Sequence, residues 1–202
     1  ELTSDRLAQW YAAELADLCV HLGTNMRYMP HAQYLRYVFA SGRIGEALQC
    51  RVFGGHRDPP WWAPHYNRAT SRGGVLASTL IHPLDMALYV CGYPRPVTVS
   101  ASARRVFPGK RGPLACAEVR QRHDVEDLIA GHIRCANGLA LQLDGNWCDD
   151  TGGCAGFELI GSRGTLRSSP FEVLVEGDDG TVTRETPALA GTAFAQRRIP
   201  VA

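Results

Sequence analysis

A chain of 202 residues, 45% hydrophobic and 20% charged, suits one large domain or one and a half small ones and can bury a real core. Its formal net charge of +1, with basic residues diluted into short pairs such as Arg104-Arg105 and Arg197-Arg198, argues against nucleic acid or an anionic membrane as the main partner, since both demand clustered positive charge. Seven cysteines, an odd number without a CxxC, indicate neither a disulfide framework nor a zinc ribbon and point to a reducing, cytoplasmic compartment; no signal peptide and no run long enough to cross a membrane is read.

In chain order, Leu7, Trp10, Tyr11 and Leu15 recur at helical spacing behind Ser4 as a cap, predicting a helix over 3–17. Residues 18–24 alternate as a strand. Pro30 opens a second helix through about Ser41, with Gly42 just past its end. Residues 47–53 alternate again. The segment 54–72, "GGHRDPPWWAPHYNRATSR", has no period and carries three prolines, two tryptophans and two histidines, which reads as an ordered flap. A helix over 73–92 follows it. Strands are then predicted over 97–107, 125–135, 139–148, 157–161, 165–169, 171–177 and 181–185, with a surface loop at 112–124. Asn137-Gly138 and Asp179-Gly180 mark hairpins, the first as a type I′ turn with positive φ at both residues. Helices first and a meander after them predict an α+β fold with a large open, mostly antiparallel sheet and helices on one face.

Within 73–92, Ser78, His82, Asp85 and Tyr89 are spaced 4, 3 and 4 apart and form one polar stripe on a helix; Val75, Leu76, Leu84, Leu88 and Cys91 supply its apolar surface. A carboxylate three residues after an imidazole can orient it for general acid–base work near neutral pH, so Asp85 is expected to serve His82; a buried histidine satisfied by its neighbour is the bland alternative. Pro83 removes the N–H that would bond the carbonyl of Thr79, predicting a kink or a fresh helix start at His82. His82 and Asp85 lack a third ligand at metal-binding spacing. Trp61, Trp62, His65 and Tyr66 of the flap can stack on a flat ligand such as a sugar, or plug the sheet. GxGxxG, GxSxG and the P-loop do not occur.

Five stretches, "TNMRYMP" (24–30), "ASGRIGE" (40–46), "GGVLASTLIHPLDMALYVCGYPRPVTVSA" (73–101), "VEDLIAGHIRCANGLALQLDGNW" (125–147) and "FELIGSRGTLR" (157–167), come in the order seen in the glucose–fructose oxidoreductase/inositol dehydrogenase (Gfo/Idh/MocA) family, which the chain resembles over roughly residues 1–185. The resemblance implies residues 1–24 as the final helix and strand of a nucleotide-binding domain and 25–202 as the substrate-binding and oligomerisation domain. It carries over His82 and Asp85, which match the family pattern and are expected to be catalytic; Arg27, Tyr28 and Ser78 in the matching stretches, with Trp61, Trp62, His65 and Tyr66 of the flap, are the expected substrate-binding residues. It further implies a polyol or sugar-like substrate and a homodimer or tetramer through the free sheet face, which the many strands and few covering helices predict to be apolar. NAD or NADP is the implied cofactor, held by a separate nucleotide domain and not by this chain alone. The sequence departs from the family pattern at Ser78, where an aspartate is expected, and at Arg72, where a third glycine is expected; the family's Glu-Lys-Pro motif would fall before Glu1. The leading expectation is the substrate domain of a dehydrogenase-like protein. The alternatives are a non-redox binding or scaffold module, and a cofactor-free lyase or epimerase using His82 with Asp85 or Tyr66.

Overall fold

The computed structural model describes residues 24–57, 64–106, 117–150 and 153–189. The predicted helix over 3–17, nearly all of the strand over 18–24, and Trp61 and Trp62 lie outside the described residues. Eight strands form a single sheet: β1 (Ala47–Gly55), β2 (Pro96–Arg104), β3 (Leu128–Cys135), β4 (Ala140–Asn146), β5 (Ala155–Gly161), β6 (Gly164–Ser168), β7 (Phe171–Glu176) and β8 (Val182–Glu185). Their order is β2-β3-β4-β1-β5-β6-β7-β8. Every pairing is antiparallel except β1 with β4, which run parallel because the intervening chain crosses over through helices and two strands before returning beside β1.

Strand alternation decides which face is covered. Cys50 and Val52 of β1, Leu141 and Leu143 of β4, Phe157 and Leu159 of β5, Leu166 of β6 and Val173 of β7 are all buried on one side. Two helices lie over that side. In α1 (Pro30–Ala40), Pro30 occupies the first position, where its missing N–H costs nothing, and Ala32, Leu35 and Val38 are buried along one stripe. Past a short α2 (Arg68–Ser71), α3 (Ile81–Val90) buries Pro83, Met86, Ala87 and Val90 and packs across β1 and β5.

The opposite face is not the apolar surface expected from the strand count. Arg51, Glu158, Arg167, Glu172 and Arg184 stand side by side on β1, β5, β6, β7 and β8 and alternate in sign. Arg51 lies 3.7 Å from Glu158, Arg167 bonds both Glu158 and Glu172, and Arg184 lies 3.2 Å from Glu172. Inward positions took the apolar residues, and outward ones pair charges across neighbouring strands.

Four local expectations are corrected. Asn137-Gly138 is not a type I′ turn: Gly138 has φ 89°, Asn137 is not left-handed, and Cys135 N–H bonds Leu139 O, a three-residue loop with a glycine bulge. The predicted surface loop at 112–124 contains a short helix, α4 (Ala117–Arg122). The flap contains a 3-10 turn over Pro64–Tyr66 as well as α2. The helical run Arg68–Val90 has 23 residues and is long and apolar enough, by length and composition, to span a bilayer, contrary to the sequence reading. Its apolar side is spent on the sheet, which is how a buried core helix meets the same criterion.

Candidate functional site

The polar stripe is carried by a helix with an unusual entry. Arg72 ends α2 in the left-handed region at φ 65°, where glycine is favoured, so the position expected to be the third glycine does adopt a glycine conformation with an arginine in it. Gly74 follows, pressed against the 126 peptide: its N–H donates to Glu126 Oε1 at 2.8 Å and the next N–H, of Val75, donates to Glu126 O at 3.0 Å. The chain then makes a π-helical turn over Leu76–Leu80, closed by Ile81 N–H to Leu76 O, and continues into α3. Pro83 explains the wide turn, since in α register its ring would meet the Thr79 carbonyl and leave it without a donor. In place of the expected kink at His82 there is a π turn that ends two residues before it, at Leu80.

The four stripe residues divide into two pairs. Asp85 accepts from Arg27, Nε to Oδ2 at 2.8 Å and Nη2 to Oδ1, and Arg27 Nη2 also donates to Thr24 Oγ1 at 3.0 Å. The hydrogen bonds to Asp85 raise the Arg27 pKa above its usual value, against a smaller loss from burial. Tyr89 donates to Gln33 Oε1 at 2.9 Å and lies under the Arg36 guanidinium at 4.5 Å. The expectation that Asp85 orients His82 is therefore corrected. A planar guanidinium takes both carboxylate oxygens in two parallel bonds, and no such fit is available to an imidazole. The other pair, Ser78 and His82, is unspent: Ser78 Oγ and His82 Nδ1 are buried and have no hydrogen-bond partner.

Of the remaining predicted residues, Arg27 and Tyr28 close the 3-10 turn Asn25–Tyr28, with Tyr28 58% exposed. Arg27 lies 5.7 Å from the ring centre of Tyr93, which is left-handed at φ 56°. His65 and Tyr66 are half-buried at the entry to the π turn; His65 O accepts from Ser71 Oγ at 3.2 Å and Tyr66 O from Asp124 N–H at 3.2 Å. Two hollows, about 380 and 370 Å³, open on the uncovered face of the sheet around Arg51, Phe53 and Asp144, and His82 lines neither. Sequence reasoning missed the Arg27–Asp85 pair, whose members are 58 positions apart. It also missed the bond from Trp147 Nε1–H to Thr79 Oγ1, 2.9 Å long and buried. The only local signal for the latter is a threonine facing the sheet from an apolar helix.

Among the described residues no group of three or more His, Cys, Asp or Glu side chains is placed to hold a metal ion. Nor do they fit a dinucleotide. A pyrophosphate needs free N–H groups at a glycine-rich helix start, whereas α1 begins at Met29-Pro30 and α3 runs straight out of the π turn.

An open eight-stranded sheet backed on one face by helices is the fold of dehydrogenase C-terminal domains. Levoglucosan dehydrogenase, solved with NADH and levoglucosan, superposes with a TM-score of 0.71 over 92% of this chain and 52% of its own, at 20% identity, a likeness of fold alone. The chain matches the GFO/IDH/MocA C-terminal domain over residues 32–167 and belongs to that family. It is 28% identical over 144 residues to D-glucoside 3-dehydrogenase of Escherichia coli (strain K12), covering 66% of this chain and 40% of that protein. It is 35% identical over 82 residues to inositol 2-dehydrogenase of Rhizobium meliloti (strain 1021), covering 41% of this chain and 23% of that one. The chain thus spans less than half the length of these relatives.

Proposed function

We propose that this chain is the substrate-binding and oligomerising domain of a dehydrogenase-like protein acting on a sugar, cyclitol or related polyol. One observation carries the reading: Ser78 Oγ and His82 Nδ1, one turn apart on the same stripe, are buried without partners. Buried polar groups are normally satisfied, and each left unmade costs about 1–3 kcal/mol. A ligand rich in hydroxyls supplies donors and acceptors at the spacing of neighbouring ring carbons. In this reading His82 takes the proton of the hydroxyl being oxidised, and Arg27, held by Asp85, presents cationic donors beside it. Tyr28 and the flap residues His65 and Tyr66 complete the sugar-binding wall.

Hydride transfer to NAD or NADP would require a nucleotide-binding domain, because the described residues offer no cradle for either. A site between two domains has one wall on each, and neither of the two hollows on the uncovered sheet face includes His82. The same reading takes the uncovered sheet face as the contact of a homodimer or tetramer. It places the protein in the cytoplasm, in keeping with its buried free thiols Cys50, Cys91 and Cys135. A second reading, a non-redox binding module, draws on the loss of Asp85 to Arg27, which leaves His82 without a carboxylate.

Calorimetric titration of the chain with myo-inositol and with methyl glucosides tests the site. Binding is expected, and Ser78→Ala and His82→Ala should each weaken it about fivefold, the size of one neutral hydrogen bond of about 1 kcal/mol. Failure to bind any of these polyols, or binding indifferent to both substitutions, overturns the assignment. In a protein that also carries a nucleotide domain, His82→Ala should lower kcat by about 100-fold or more as a lost general base. Wild-type binding without turnover would instead establish the non-redox module.

A further inference from the structure

We propose that Trp147 is a positioning residue that holds His82 in place through Thr79, by latching the π turn on which the candidate site is built. Three observations meet at one residue. Thr79 lies inside the π turn, and its carbonyl is the one that Pro83 would leave without a donor in α register. Its hydroxyl accepts from the Trp147 indole N–H at 2.9 Å, with Trp147 fully buried and Thr79 8% exposed. The residue just before it, Ser78, and the one three places on, His82, carry the buried unpartnered atoms of the stripe.

The turn is seated as well as latched. Gly54 and Gly145 form a floor beneath it, where an added Cβ would lie 3.5 Å from the Leu80 Cα and 3.2 Å from Leu80 Cδ2 respectively. Trp147 is itself fixed, its main-chain N–H donating to Asp127 O at 2.8 Å and its indole tilted against His123 with ring centres 6.2 Å apart. A π turn is a rare and readily displaced geometry, and changing it by one hydrogen bond rotates every following side chain about the helix axis. The indole bond fixes that register from the rigid sheet side, so Thr79 faces inward while Ser78 and His82 stay on the stripe. The functional meaning of the latch rests on the proposed role of His82; its geometry does not.

The test reads His82 without any substrate, so its failure is separate from failure of the dehydrogenase reading. In the full chain, the imidazole carbon–proton NMR signal of His82 is assigned by its loss in His82→Ala. It is then followed in Trp147→Phe, Thr79→Val and Thr79→Ser. Trp147→Phe removes the donor, Thr79→Val exchanges the acceptor hydroxyl for a methyl, and Thr79→Ser keeps it. Val173→Ala, a cavity in β7 three strands from β1, is the control for general loss of stability. The His82 signal is expected to be displaced or split in Trp147→Phe and Thr79→Val, and unmoved in Thr79→Ser and Val173→Ala. An unmoved signal in Thr79→Val overturns the proposal even where Trp147→Phe does not fold. Equal displacement in Val173→Ala overturns it too.

Discussion

His123 has no exposed side-chain surface and lies 3.6 Å from Asp127, which is equally sealed. Burial pushes its pKa below the usual 6.5; the nearby carboxylates of Asp127 and Asp124 pull the other way, and Arg105 adds to the lowering. The folded protein therefore keeps this imidazole neutral while the unfolded chain protonates it near 6.5. The stability this represents is full above that value and is lost as pH falls through it towards the lower folded pKa. Urea unfolding of the wild type should shift to lower denaturant as pH drops from about 8 to about 5.5, and His123→Gln, with no charge to gain, should flatten that dependence. His31, also lowered by burial, leaves a residual slope of the same sign. An equally steep dependence in the variant would show that His123 does not carry it. At this scale periodicity grouped Ser78, His82, Asp85 and Tyr89 along one helical run, which the structure forms from the π turn and α3. The partners were not. Asp85 is near His82 in sequence, yet its carboxylate goes to Arg27 across 58 positions, a choice made by tertiary packing and guanidinium geometry.

Among the elements, β1 and β3 to β7 were readable because they alternate against a core on one side, and they lie within a few residues of the predicted spans; β2 and β8 bury no residue. The π turn was not readable. Pro83 announces that an α-helix cannot pass unaltered, but whether it kinks, restarts or widens depends on what lies beside it, here Trp147 and the glycine floor. The entry to the turn is as tightly fitted as its middle. A Cβ on Gly74 would lie 1.8 Å from Glu126 O, the acceptor of the Val75 N–H bond. Main chain cannot yield there without breaking that bond, so Gly74→Ala should lose at least about 1–3 kcal/mol, the usual cost of overpacking. Gly180→Ala makes a comparison, since no atom lies within 4 Å of its added Cβ and only its left-handed φ of 79° is strained. Chemical denaturation that ranked the two equally would remove the close packing of Gly74 on Glu126 from the account of the site.

Over the whole molecule, the mostly antiparallel sheet followed from the run of hairpins, but the strand order did not, because β1 inserts between β4 and β5 by contacts of long sequence separation. The character of the uncovered face also escaped the pattern: alternation shows that one side is not core, without saying whether it is apolar or paired in charge. Its ladder of Arg51, Glu158, Arg167, Glu172 and Arg184 changes the kind of association to expect. A partner laid over this ladder would meet its three cations and two carboxylates, and Arg51 and Arg184 keep 61% and 66% of their side-chain surface exposed. Exposed charges at such an interface are screened within about 10 Å at 0.1 M salt. The proposed homodimer or tetramer should therefore appear by light scattering at low ionic strength and dissociate more readily as salt rises from about 0.05 to about 0.5 M. Arg184→Glu, which places a third carboxylate beside Glu172, should weaken it at low salt and less so at high salt. A monomer at micromolar concentration under both conditions would remove this face as the oligomer contact. An oligomer indifferent to salt and to Arg184→Glu would place the contact elsewhere.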